Sequence, residues 1–176
     1  MKLRILTVAV MLVAPTLHAQ PSAGAWATAN GEHKMDDLGA QIGTKAKLAV
    51  AQLNEQANGR LDYSERSLQA VEELLAEASP YASEMDSANR KALVELLGSY
   101  ILEVAFRAHG GTFYWDKKRD QPVLVAGEPT FHVGIMTFDK VNGRLAGDKA
   151  DNIPFFYEGF AARVKSAAPG TNAVYL

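Results

Sequence analysis

Between Met35 and Ala57 the apolar residues Met35, Leu38, Ile42, Ala46, Ala49, Leu53 and Ala57 recur at spacings of three and four. That period places one buried face on a helix, and Asn58-Gly59 ends it. Gly39 and Gly43 each weaken the helix by roughly 1 kcal/mol relative to alanine and leave a shallow surface for a close neighbour. A second helix is predicted after Asp62-Tyr63-Ser64-Glu65, which matches a capping box with Asp62 as N-cap. Its apolar stripe is Leu68, Val71, Leu74, Leu75 and Ala78, and Ser79-Pro80 closes it. A third helix starts at Asp86 or Ser87 and ends at His109, with Gly110 as the C′ glycine. From Leu93 to Phe106 it is apolar almost all round, and Lys91, Glu95, Ser99, Glu103 and Arg107 form one narrow polar stripe. Such a helix belongs at the centre of a domain.

After Gly110-Gly111 the period changes to two. Thr112 to Asp116 reads as a strand, Lys117 to Gln121 as a charged hairpin loop, and Pro122 to Ala126 as a second strand. Gly127-Glu128-Pro129 makes a turn, and Thr130 to Phe138 a longer third strand. Asp139 to Gly147 reads as a turn or short helix containing Asn142-Gly143. Asn152 caps a last helix from Ile153 to about Ala167, with Pro154 in its first turn. Ile153, Phe156, Phe160 and Val164 face the core, and Pro169-Gly170 stops the helix. The expected fold class is α+β, with about four helices packed on one face of a small three-stranded antiparallel meander. Residues 33–168 form the domain, and residues 169–176 a C-terminal tail.

The N-terminus changes the picture. Lys2 and Arg4 precede an apolar run from Ile5 to Ala14, and Leu17-His18-Ala19 ends in a small residue. This is the pattern of a cleavable signal peptide over residues 1–19, cut after Ala19, with a second candidate after Ala25. The run is short of the roughly 20 residues that span a bilayer. Residues 20–32 read as a flexible leader. The expected product is an exported, periplasmic or secreted protein with no transmembrane segment. Cleavage removes two cations, Lys2 and Arg4, and takes the net charge from −2 to −4. That balance excludes a generic nucleic-acid binder. The absence of cysteine excludes disulfides, thiol catalysis and Cys-zinc sites.

No H-E-x-x-H, G-x-S-x-G, P-loop or dinucleotide fingerprint is present, so no catalytic residue, metal or cofactor is assigned. Glu103 lies one turn before Arg107 in the most apolar helix. It reads as a helix-face ion pair or as a carboxylate on a cleft wall. His109 sits at a helix C-terminus, where the dipole favours imidazolium. His132 lies on the third strand, on one face with Gly134, Met136 and Phe138, and reads as a partly buried, hydrogen-bonded side chain. A zinc site would need both histidines to converge with Glu103 or Asp116. His33 lies beside the leader. Trp115 is expected in the core, or else in an aromatic platform with Tyr114 and Phe113. Lys117-Lys118-Arg119 makes a basic hairpin tip that could guide an acidic partner. Phe155 and Tyr157 lie partly off the core stripe and could form a partner surface. Asp148, Asp151 and Asn152 lack the spacing of a calcium loop.

Leu97-Gly98-Ser99-Tyr100-Ile101-Leu102-Glu103-Val104, then His109-Gly110-Gly111-Thr112-Phe113, resembles an uncharacterised bacterial family, a domain of unknown function. Its pattern is an L-G-x-Y-x-x-E-V helix followed by G-G and a Trp-containing strand. Lys140 to Gly147 matches that family's K-V-x-x-R-L-x-x-G segment, and the resemblance covers about residues 62–165. It implies α+β architecture and no activity, and it singles out Glu103, Gly110, Gly111, Trp115, Lys140 and Arg144.

Three functions remain in view. The leading one is a non-enzymatic periplasmic binding or protein-interaction domain whose partner is another envelope protein, an immunity or inhibitor role being one concrete form. The second is a small envelope hydrolase or metal-dependent enzyme using Glu103, His109 and His132. The third is a small-molecule binder. The candidate binding residues are Glu103, Arg107, His109, Trp115, His132, Lys140 and Arg144.

Overall fold

A computed structural model describes the backbone from Glu32 and the side chains from Asp37, both through Leu176. The expected signal peptide and nearly all of the expected leader lie outside the described residues. The chain forms α1 (Glu32–Leu53), α2 (Leu68–Ala78), α3 (Ser87–His109), β1 (Thr112–Asp116), β2 (Gln121–Ala126), β3 (His132–Met136), α4 (Phe138–Leu145), α5 (Ile153–Ser166) and β4 (Asn172–Tyr175). Single 3₁₀ turns occupy Glu65–Ser67, Ser79–Tyr81 and Lys149–Asp151. The class is α+β. Among the described residues, no helix is long and apolar enough to cross a membrane.

α3 is the central helix, as its composition requires. Asp86 caps it by accepting from the Asn89 amide at 2.8 Å. Tyr100, Ile101, Leu102, Val104 and Ala105 are fully buried within it. Two glycines end it. Gly110 turns the chain at φ 66°. A Cβ on Gly111 would stand 2.4 Å from the Val125 carbonyl oxygen, so only glycine lets β1 start beside β2 at once. α1 runs antiparallel along α3. Lys45 binds Glu95 at 2.7 Å, and the ring of Phe113 lies 3.4 Å from the place of a Gly39 Cβ. The shallow surface left by Gly39 is therefore filled by the first strand.

The sheet differs from the expected meander. β1, β2 and β3 are antiparallel neighbours, and β4 joins β3 in parallel, pairing His132 with Asn172 and Ile135 with Tyr175. The stretch read as a C-terminal tail thus completes a four-stranded mixed sheet. Parallel pairing was not visible in so short a segment, because α5 supplies the crossover that brings it alongside. Phe113, Leu124, Ala126, Val133 and Ile135 point to the helices and join the main core. Val123, Val125 and Met136 occupy the opposite face with Tyr114 as a second, smaller cluster.

Among the described residues there are five helices, where about four were expected. The third strand stops at Met136, and Phe138 opens α4 instead of extending the strand. The Thr137 hydroxyl holds this corner by donating to the Gly98 carbonyl at 2.8 Å. Gln121 holds its other side by accepting from the Phe138 amide at 2.9 Å. Asn152 caps α5 as expected, accepting from the Phe155 amide at 2.9 Å.

The capping box at Asp62 does not form. Asp62 instead accepts from the Ser64 amide and hydroxyl at 2.9 and 2.6 Å, a local Asx turn that competes with helix capping. A 3₁₀ turn follows, so α2 begins only at Leu68. Its register is set by Glu72, which accepts from Arg144 Nε at 2.6 Å and from the Ile153 amide at 3.0 Å. This carboxylate clasps α2, α4 and the start of α5 together.

Candidate functional site

The candidate site is built where the segment before α2 crosses the C-terminal end of α3. Tyr63 holds a positive φ of 64°, a costly conformation for a bulky residue. Its surroundings over-determine it. The Tyr63 amide donates to the Tyr100 hydroxyl at 2.9 Å, and its ring stacks on Tyr100 with centroids 5.2 Å apart. The Arg107 guanidinium covers the Tyr63 ring, 3.7 Å from its centroid. The Ser67 and Tyr100 hydroxyls share a hydrogen bond at 2.7 Å. The loop is thereby pinned at both ends, and Glu65, between the pins, is delivered to α5.

Glu65 meets two groups there. The Tyr157 hydroxyl donates to Glu65 Oε1 at 2.9 Å. His109 Nε2 lies 3.5 Å from the same oxygen, with the imidazole 7% exposed. The contact is loose, and among the described residues this buried nitrogen makes no well-formed hydrogen bond. Tyr157 and Phe160 pack around the imidazole, with ring centroids 6.2 and 5.5 Å away. Burial lowers the His109 pKa below its ordinary value, against the opposing pull of the Glu65 charge. Burial also raises the Tyr157 pKa, and its hydrogen bond to Glu65 adds to this. Near neutral pH the cluster therefore holds a neutral imidazole and a protonated phenol beside one carboxylate.

The cluster lies at the base of an open cleft of about 540 Å³ between α2 and α5. Leu68, Pro154, Tyr157, Ala161 and Ala162 supply its apolar wall, and Glu65, Arg66, Gln69, Glu158 and Lys165 its polar lining. The apolar wall faces charged and polar side chains of both signs.

The residues singled out from sequence scatter around the fold. Glu103 binds Arg107 at 2.7 Å and lies 3.8 Å from the position of a Gly43 Cβ, against α1. His109 is in the cleft cluster, but as a buried neutral imidazole and not as an exposed, dipole-stabilised cation. His132 is exposed and lies 3.8 Å from Glu128; it is not the partly buried, hydrogen-bonded residue expected, because it opens β3 at the end of the sheet. Trp115 is 42% exposed and so is no core residue, since the short edge strand β1 carries it past the helical layer. Lys140 pairs with Asp151 at 2.8 Å and Arg144 with Glu72, both as bonds between elements. Among the described residues, no group of three histidine, cysteine or carboxylate side chains could hold a metal.

Sequence reasoning missed Glu65 as a site residue by assigning it to the capping box. It read Tyr157 as lying partly off the core stripe and available to a partner, whereas Tyr157 is 3% exposed. The available signal was the lone polar hydroxyl in the aromatic run Phe155-Phe156-Tyr157, since a buried tyrosine needs a hydrogen-bond partner. Comparison of the chain with protein-family models, curated proteins and solved structures finds no match.

Proposed function

We propose that the protein is an exported, non-catalytic binding domain whose small-molecule site is the cleft between α2 and α5. The observation that carries this reading is Glu65. One carboxylate oxygen is engaged by Tyr157 and approached by the buried His109 nitrogen, while the side chain stays 46% exposed at the cleft. A charged group held in one position beside an apolar wall fits ligand orientation better than fold stability. The family resemblance is compatible with this role and assigns no activity.

The test is a thermal-melt screen of the purified protein against amino acids, short peptides, sugar acids and polyamines. A ligand should raise the melting temperature, and Glu65→Gln or Ala161→Trp should abolish the rise. A screen in which no compound shifts the wild-type protein would reject the small-molecule reading. Amino-terminal sequencing of the exported protein should begin at Gln20.

The second reading is a partner surface for another envelope protein. Phe155 favours it, being 75% exposed beside a second depression of about 520 Å³ lined with Lys140, Phe156, Gly159 and Tyr175. Stoichiometric capture of one envelope protein, lost in Phe155→Ser and retained in Glu65→Gln, would establish it.

A further inference from the structure

The two edges of the sheet are not alike. β1 is one edge, and α1 packs against it. It ends in Asp116 and runs into the hairpin Lys117-Lys118-Arg119. Charge of this kind keeps an edge from pairing with another chain. β4 is the other edge. From Thr171 to Leu176 the chain carries no charged side chain and no proline. The His132 amide donates to the Thr171 carbonyl at 2.8 Å. Thr171 and, by alternation, Ala173 and Tyr175 therefore turn their backbone groups toward β3. Those of Asn172 and Val174 point the other way, and no strand among the described residues pairs with them. Val174 and Leu176 are exposed, and so is Phe155, which lines one depression together with Tyr175.

We infer that β4 pairs with β4 of a second copy, antiparallel about a two-fold axis through Val174, so that one sheet continues into the other. Self-pairing sets strict conditions, and this strand meets them. A charge near the axis would meet its like, and the strand has none. Directly opposed residues share a face, so the axis passes through a residue and not between two. Ala173 is spent on β3, which leaves Val174. In that register Val174 exchanges both backbone bonds with its counterpart, and Asn172 does so with the partner's Leu176. Tyr175 then lies opposite the partner's Ala173. Each copy offers the same patch, as a two-fold contact requires. A foreign strand would use the same backbone groups, but it would not fix Val174 on Val174. The inference is independent of the cleft between α2 and α5.

Sedimentation of the purified protein from micromolar to millimolar concentration should show a monomer–dimer equilibrium. Val174→Lys sets two lysines face to face and should raise the dissociation constant about tenfold or more. Val174→Pro removes only an outward N–H, so it should abolish the dimer and leave the far-ultraviolet circular dichroism of the monomer unchanged. The chain has no cysteine, so Val174→Cys introduces a lone thiol. Its counterpart would lie about 5.5 Å away between Cα atoms, within disulfide reach, and mild oxidation should link the two copies. Asn172→Cys, about 14 Å from its counterpart, should stay unlinked. A wild-type protein still monomeric at about 1 mM would overturn the pairing. So would a dimer that survives both Val174→Lys and Val174→Pro, or equal cross-linking at positions 172 and 174.

Discussion

Glu65 and Glu72 lie two turns apart on one stretch of chain, and both connect it to α5, yet they do opposite things. Glu72 is buried and fully engaged: Arg144 takes one oxygen and the Ile153 amide the other. Glu65 is half-exposed, and its two neighbours both approach the same oxygen. The first arrangement locks three helices. The second leaves a carboxylate oxygen, a buried imidazole nitrogen and a cleft. The difference teaches that residue type and helical position say little about role here. The count of satisfied oxygens separates a structural carboxylate from one available to a ligand.

The widest test of this contrast is Arg144→Ala. It leaves Glu72 as an uncompensated carboxylate between helices and should cost about 3 kcal/mol of stability, the low end for breaking a buried pair. Urea unfolding measures it, and a loss no larger than that of an exposed pair would dissolve the distinction. Tyr157→Phe should cost less, about 1 kcal/mol, because Glu65 can be solvated in its place. It should also raise the exposure of Glu65 to ligands, so a bound ligand would report the change as altered affinity.

The pH dependence sharpens the comparison further. His109 has a lowered pKa in the folded state, so between that value and about 6.5 the unfolded chain binds more protons. Stability should therefore be full above about pH 6.5 and fall as pH drops through that window. His109→Phe should flatten this part of the profile, as read from melting temperature against pH. An unchanged slope would show that the imidazole is not held neutral by burial. Glu103→Ala should have the smallest effect, about 0.3–0.5 kcal/mol, as expected for a partly solvated i,i+4 pair.

Much of the fold was legible in one dimension. Asp86, Gly110 and Asn152 act locally, through their own backbone neighbours, and their roles as caps and stops followed from spacing alone. The period change after Gly111 located β1 and β2 for the same reason. The site was far less legible. Glu103, His132 and Trp115 were chosen for their chemistry, but their partners are set by which elements pack together. Asp62 shows the competition at short range, since an Asx turn to Ser64 outweighed the helix cap that the same four residues could have made.

The sequence by itself determined α1, α2, α3 and α5, most of the strands and the centrality of α3, because hydrophobic period and capping are properties of neighbours in the chain. Only the tertiary structure decided that residues 172–175 enter the sheet, that Glu72 is spent on Arg144, and that Glu65, His109 and Tyr157 meet beneath a cleft. Those contacts join residues far apart in sequence, and their strength depends on burial and direction, which no local pattern encodes.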